Sequence, residues 1–202
     1  MPDNLSQIIN IRSVGELIRD SLHEIIPVKG NLLVSFGILL VALMLSVNVI
    51  DATNSIEIFI GMSVTLRDVF LGLFGVALSI FAIFFSLLDG AQIYRLTLQE
   101  DNPLIAYLLY YENVLALFAL AFILSLSISL FDYATVYKLA SLICHDRYLE
   151  IAFCLLYLAF SFRIVFETKS LLFNTFTFTR AFICLKGNDA KAEVLTEQNM
   201  SH

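Results

Sequence analysis

Read along the chain, the apolar positions gather into four long blocks. Asn31 to Ile50 carries no charge until Asp51. Val69 to Leu88 lies between Asp68 and Asp89, and Asn113 to Phe131 lies between Glu112 and Asp132. The fourth block, from about Leu149 to Thr168, is less clean, since Arg163 interrupts the apolar run that begins at Ile151. A helix needs about 20 mostly apolar residues to cross the hydrocarbon core of a bilayer. Each block therefore predicts a transmembrane helix, at about 31–50, 69–88, 113–131 and 149–168. None alternates with the period of two that a membrane β-barrel strand requires. The predicted fold is all-α: a polytopic membrane protein with four transmembrane helices, an N-terminal amphipathic helix and cytoplasmic helix extensions.

The flanks supply those extra elements. Residues 13–26 predict an amphipathic helix, opened by the capping-box spacing Ser13-x-x-Glu16 and ended by Pro27 and Gly30. Val14, Leu17, Ile18, Leu22, Ile25 and Ile26 form its apolar stripe, and Glu16, Arg19, Asp20, His23 and Glu24 its polar face. That face is mostly acidic, unlike the basic face of a helix adsorbed on anionic lipid. Two readings stand: a helix tucked under its own bundle, or a docking helix for another subunit. The second span is expected to continue past Gly90 through Ile93, Tyr94 and Leu96, with Asn102 and Pro103 opening the third helix. Tyr107, Tyr110 and Tyr111 then sit at headgroup level as an aromatic anchor. The fourth helix is expected to run on to Lys186, since no breaker intervenes, although the alternation Phe176-Thr177-Phe178-Thr179 also suits a short strand. The organisation is thus a surface segment (1–30), a membrane domain (31–168), a cytoplasmic helix extension (169–187) and a disordered tail (188–202).

Composition agrees with a membrane protein. Of 202 residues, 59% are hydrophobic and 15% charged, and mean hydropathy is +0.84. Soluble domains are nearer half apolar and a quarter charged. Disorder and a disulfide scaffold are excluded, and so is a large soluble enzyme domain. A net charge of −6 offers no basic footprint for direct nucleic-acid contact. Cys144, Cys154 and Cys184 lack paired spacing and read as packing or incidental thiols. With both termini cytoplasmic, eight Lys and Arg fall in inner segments and three in outer ones, Arg163 aside. The positive-inside rule favours that orientation. The first span is preceded by an acidic segment and followed by no A-x-A site, so it reads as retained.

Catalytic constellations are not found. No Walker A loop, G-x-S-x-G or H-E-x-x-H occurs. His145-Asp146 reads as a solvated pair. The expectation is no enzyme, no cofactor, no metal site. Within the first three spans no side chain is ionisable, which weighs against a proton-coupled transporter. In the fourth, Arg163 and Glu167 share a helix face. They form either a membrane-edge pair snorkelling to the headgroups or a buried pair locking an interface. Small residues are the more informative feature. Gly72, Gly75, Ser79, Ala82 and Ser86 make a seam suited to close helix approach, within the subunit or in an oligomer. On the third span, Asn113, Leu117, Ala121, Ser125 and Ser129 share a second, partly hydroxylated face, which could instead line a path. Partner docking is expected at Leu17 and Leu22 and at Phe173, Phe176, Phe178 and Phe182, whose apolar area extends beyond the bilayer.

In outline, over the whole chain, this architecture resembles the membrane subunit of Kiwa, a bacterial anti-phage defence system. The likeness rests on length, four spans, cytoplasmic termini and the lack of catalytic residues, and it transfers no functional residue. It implies a homo-oligomeric assembly in a bacterial inner membrane, in contact with lipid and working with a cytosolic, DNA-binding subunit. The expected function is a non-enzymatic scaffold or sensor displaying a cytoplasmic surface to a soluble protein. The alternative is a small channel or transporter formed by an oligomer.

Overall fold

The computed structural model describes residues 12–25, 32–87, 103–130 and 147–200, and these are helical apart from short flanks and one turn. We number the helices α1 (Val14–Ile25), α2 (Leu32–Asp51), α3 (Ser55–Leu87), α4 (Pro103–Leu130) and α5 (Arg147–Met200). Four of them, α2 to α5, are long and apolar enough to cross a membrane. Pro27, Gly30, the segment through Ile93, Tyr94 and Leu96, the Asn102 cap, Cys144 and His145-Asp146 lie outside the described residues. The chain divides into two compact units, Met1–Glu167 and Thr168–His202.

α1 starts where its capping box predicts. The Ser13 amide and hydroxyl both donate to Glu16 Oε2 at 3.0 Å, and the Glu16 amide donates back to Ser13 Oγ at 3.3 Å. This reciprocal cap satisfies amides that the first turn leaves without helical acceptors. The helix lies against α4.

α3 differs from the sequence expectation. It begins at Ser55, well before Val69, and only Ala52 to Asn54 separate it from α2. Hydropathy falls at Glu57, Arg67 and Asp68, but nothing between Ser55 and Val69 breaks a helix; charge interrupts an apolar block without interrupting hydrogen bonding. At its inner face Ser63, Leu66, Phe70, Ala77 and Phe84 are buried, spaced by three, four and then seven residues as in a heptad seam. α4 answers with Leu104, Tyr107, Tyr111, Val114, Phe118, Ala121 and Ser125, all buried in the same stepping. These seams make α3 and α4 the main helix pair, and α2 lies against α3.

α5 carries the same repeat. Cys154, Tyr157, Ser161 and Ile164 are buried in 3-4 steps in the first unit. Residues 168–200, in the second unit, are helical throughout. Thr175, Thr177 and Thr179 each donate to the carbonyl four residues earlier, at 2.7–2.9 Å. Their alternation with phenylalanine therefore does not make a strand. The expected stop at Gly187 and the disordered tail are not seen. The helix runs to Met200, through Ala190, Lys191, Ala192, Glu193 and Leu195, which are strong helix formers.

Candidate functional site

Polar side chains inside an apolar bundle are costly, so their placement locates whatever the protein does. Most hydroxyls are absorbed locally. Ser46, Ser63, Thr65 and Ser79 each donate to the carbonyl four residues back. Ser125 is different: its Oγ lies 2.9 Å from Tyr157 Oη, a buried bond joining α4 to α5. The Tyr157 ring meets Phe59 of α3 edge-on, centroids 5.4 Å apart. Three helices converge there. Near the same end of the bundle, Asp51 of α2 pairs with Arg147 of α5.

This arrangement fills the hydroxylated face of the third span. Asn113, Leu117, Ala121 and Ser125 are buried, and Ser129 is half-buried. Protein occupies the face that could have lined a path.

At the other end stands the tyrosine cluster. Tyr107 lies 4.9 Å from Phe84 and 4.8 Å from Tyr111, and Tyr111 lies 5.9 Å from Phe81. Tyr107 and Tyr111 are buried and Tyr110 is half-buried, and the contacts of Tyr107 and Tyr111 with Phe84 and Phe81 join α4 to α3. Next to it, Arg12 reaches across from the start of α1. Its Nη1 donates to Asn113 Oδ1 at 3.0 Å, and its Nη2 lies 2.5 Å from Glu112 Oε2. Asp20 is 3.4 Å away on the same guanidinium. α1 is thereby tied to its own bundle. Ser21 is buried and Leu17 half-buried, while Val14, Ile18 and Leu22 remain exposed. The docking pair expected at Leu17 and Leu22 is thus split between two faces. At the helix cap, the hydrogen bonds from Ser13 hold the Glu16 carboxyl below its ordinary value.

Arg163 and Glu167 do pair, Nη1 to Oε1 at 2.5 Å, and each side chain is only 9% exposed. The Arg163 guanidinium lies 5.7 Å from the Phe166 ring centroid. This is the geometry of an enclosed ion pair, not of side chains extended into solvent.

The small seam of α3 is exposed along its length at Gly72, Gly75, Ser79, Ala82 and Ser86. No atom lies within 4 Å of where a Cβ would stand on Gly72 or Gly75. Among the described residues, no other helix of the subunit covers it. At about 100° per residue it lies nearly opposite the buried Phe70–Ala77–Phe84 seam.

In the second unit the four phenylalanines do not share a face. Phe173 and Phe176 are 68% and 64% exposed, with Leu172 and Ile183 beside them. Phe182 is 6% exposed, under the Lys186 ammonium at 5.2 Å from its centroid. Phe178 is half-buried. The reason is the repeat: Leu171, Thr175, Phe178 and Phe182 continue a 3-4 seam, and Phe173 and Phe176 fall off it. Phe182 therefore does not belong to an open docking face.

Among the described residues, no cluster of three or more His, Cys, Asp and Glu could hold a metal. Cys154 is buried and Cys184 exposed. No family profile matches the chain, and no curated protein or solved structure matches it either.

Proposed function

We propose that this protein is a non-enzymatic membrane scaffold or sensor that oligomerises and presents a cytoplasmic surface to a soluble protein. One observation carries the reading. In the second unit, Leu172, Phe173, Phe176 and Ile183 are exposed on one side of the helix, and Lys169 and Arg180 are exposed there too. Large aromatics interleaved with two cations suit a protein surface with apolar and acidic groups, whereas a lipid-facing helix avoids such charges. The four membrane-length helices supply the anchor, and the exposed Val14, Ile18 and Leu22 of α1 give a second, smaller apolar strip.

The Lys and Arg distribution supports cytoplasmic placement of both termini. Cys184 then faces the cytoplasm, and Cys144 the other side. A membrane-impermeant maleimide applied to intact cells is expected to spare Cys184; labelling of Cys184 from outside reverses the topology. The resemblance to the Kiwa membrane subunit supports a setting in a bacterial inner membrane and a role in anti-phage defence.

The test is co-purification in mild detergent. Phe173→Asp with Phe176→Asp changes only exposed positions, so the protein is expected to reach the membrane and assemble normally. It is expected to lose a cytosolic protein that the native chain retains. Ile18→Asp with Leu22→Asp probes α1 in the same way. If both variants assemble and keep every partner, the scaffold reading fails.

A further inference from the structure

α1 is strongly two-faced and only weakly apolar overall, the combination that keeps a helix in the plane of a membrane surface rather than across it. Packing on α4 uses one side of it, where Ser21 is buried and Leu17 half-buried. Val14, Ile18 and Leu22 follow beside that contact in steps of four, about 40° apart round the helix. They are 74%, 37% and 40% exposed.

What covers this strip depends on where α1 stands relative to the bilayer, and α2 supplies the scale. Its 20 residues carry no charge before Asp51, and large apolar side chains are exposed along it from Leu32 to Val47. At about 1.5 Å per residue it is about 30 Å long, the thickness of the hydrocarbon core. Leu32 and Asp51 therefore mark the two membrane edges. Contacts carry that scale to α1. Asp51 pairs with Arg147 and Ser46 meets the Cys154 thiol, so α2 and α5 run antiparallel at matched depth. Tyr157 lies about 15 Å in from Arg147, and its bond to Ser125 passes that level on to α4. Asn113 is about 18 Å further along α4, toward the end away from Asp51. The Arg12–Asn113 bond therefore stands within about 5 Å of the level of Leu32. At the other end of α1, Ile25 is only seven residues before Leu32, a reach of at most about 25 Å. Both ends of α1 are thus tied to one membrane edge.

We propose that the strip of Val14, Ile18 and Leu22 is a lipid-binding surface, inserted at the headgroup–acyl boundary of the leaflet at this end of the bundle. The carboxylates of the helix do not oppose this. Glu16 and Asp20 each lie about 160° round the helix from Ile18, and Asp20 is held by both Arg12 and Arg19. The strip meets lipid while the acidic side turns to water and to the bundle. This goes beyond the scaffold reading: the α1 strip belongs to lipid, and a soluble partner is left the face of the second unit.

Tryptophan fluorescence tests it. The chain contains no tryptophan, so a single introduced one reports its own surroundings. Ile18→Trp and Leu22→Trp place it on the strip, and Arg19→Trp and His23→Trp on the polar side. All four positions are exposed, so the fold is expected to hold. Each full-length variant is reconstituted in phosphatidylcholine nanodiscs, with and without brominated acyl chains, and titrated with iodide. Ile18→Trp and Leu22→Trp are expected to lose most of their emission to the brominated chains and little to iodide. Arg19→Trp and His23→Trp are expected to do the reverse. Because tryptophan itself favours membrane interfaces, the contrast between the two pairs decides. Equal loss to bromine at all four positions overturns the proposal, since the contact then ignores the strip. Iodide quenching of Ile18→Trp and Leu22→Trp without loss to bromine overturns it in favour of a face open to a soluble protein. Protection of both from either quencher overturns it in favour of cover by a second copy of this chain.

Discussion

Replacing Arg163 alone removes one member of an enclosed ion pair and leaves the other. With both side chains 9% exposed and 2.5 Å apart, Arg163→Met strands the Glu167 carboxylate. Breaking an enclosed pair from one side costs about 3–5 kcal/mol, against about 0–1 kcal/mol for a solvated pair. For a chain of this size about 1 kcal/mol moves Tm by about 2–4 °C. Arg163→Met is therefore expected to lower Tm by about 6–20 °C. Glu167→Leu is expected to do the same from the other side. The double variant should recover most of the loss, because apolar replacement of both partners is often neutral or stabilising. The assay is thermal unfolding followed by circular dichroism, with all four proteins in one detergent. The coupling energy comes from the double-mutant cycle, which separates the pair from the other contacts of each residue. Single variants within about 1 kcal/mol of the native protein, with no coupling, would refute the reasoning. The two groups would then be solvated at the membrane edge, as snorkelling side chains are.

Three further outcomes are expected. Tyr157→Phe removes the partner of Ser125 on α5 and should cost about 1–2 kcal/mol, read as a lower Tm; Ser125→Ala added to Tyr157→Phe should then change little more. Arg12→Ala releases the Glu112, Asn113 and Asp20 contacts, so amide exchange should speed up across Val14–Ile25 and stay unchanged in α3 and α4. Ser13 holds the Glu16 carboxyl below its ordinary 4.5. The cap is therefore fully supported above that pH and loses support as pH falls below it. The protection of α1 amides, taken relative to the intrinsic exchange rate at each pH, should fall on acidification, and Glu16→Ala should lower that protection at neutral pH while flattening this dependence.

The membrane helices and the α1 cap are legible in the sequence because both signals are local. An uncharged run and a Ser-x-x-Glu spacing need no tertiary context. The start of α3 is not legible, since Glu57, Arg67 and Asp68 lower hydropathy without stopping a helix. Nor is the packing face of α4. Its seam of Leu104, Tyr107, Tyr111, Val114, Phe118, Ala121 and Ser125 is hardly less apolar than the rest of that helix, so polarity does not mark which side turns inward. The exposed face of α3 is half legible. Gly72, Gly75 and Ser79 stand out by size, but hydropathy puts Thr65 and Asp68 in a connection and hides their place in the same repeat. The split of the phenylalanines in α5 needs the 3-4 register, which follows from Tyr157, Ile164 and Leu171 only once their burial is known.

Where the hydroxyls bond also bears on what kind of assembly these helices can build. Helices in lipid gain little from apolar contact alone, so shape and polar links decide how they meet. Ser46, Ser63, Thr65 and Ser79 return their hydroxyls to their own backbones, and Ser46 also meets the Cys154 thiol of α5. Among the described residues, Ser125 links to Tyr157, Asp51 to Arg147, and Arg12 to Glu112 and Asn113. These links lie within one subunit, and none uses the outward face of α3. Among the described residues the serine face of α4 is occupied by protein, so the channel reading turns to a path between copies. Thr65 and Asp68 on α3 are polar side chains placed to border such a path. The scaffold and channel readings therefore diverge at one surface. If copies meet along that face of α3, a dry contact leaves the assembly closed and supports the scaffold, while a wet one makes the same residues a lining. Cysteine reactivity along Gly72, Gly75 and Ser79 separates the two, because a close-packed heptad contact has no room for a water-soluble reagent.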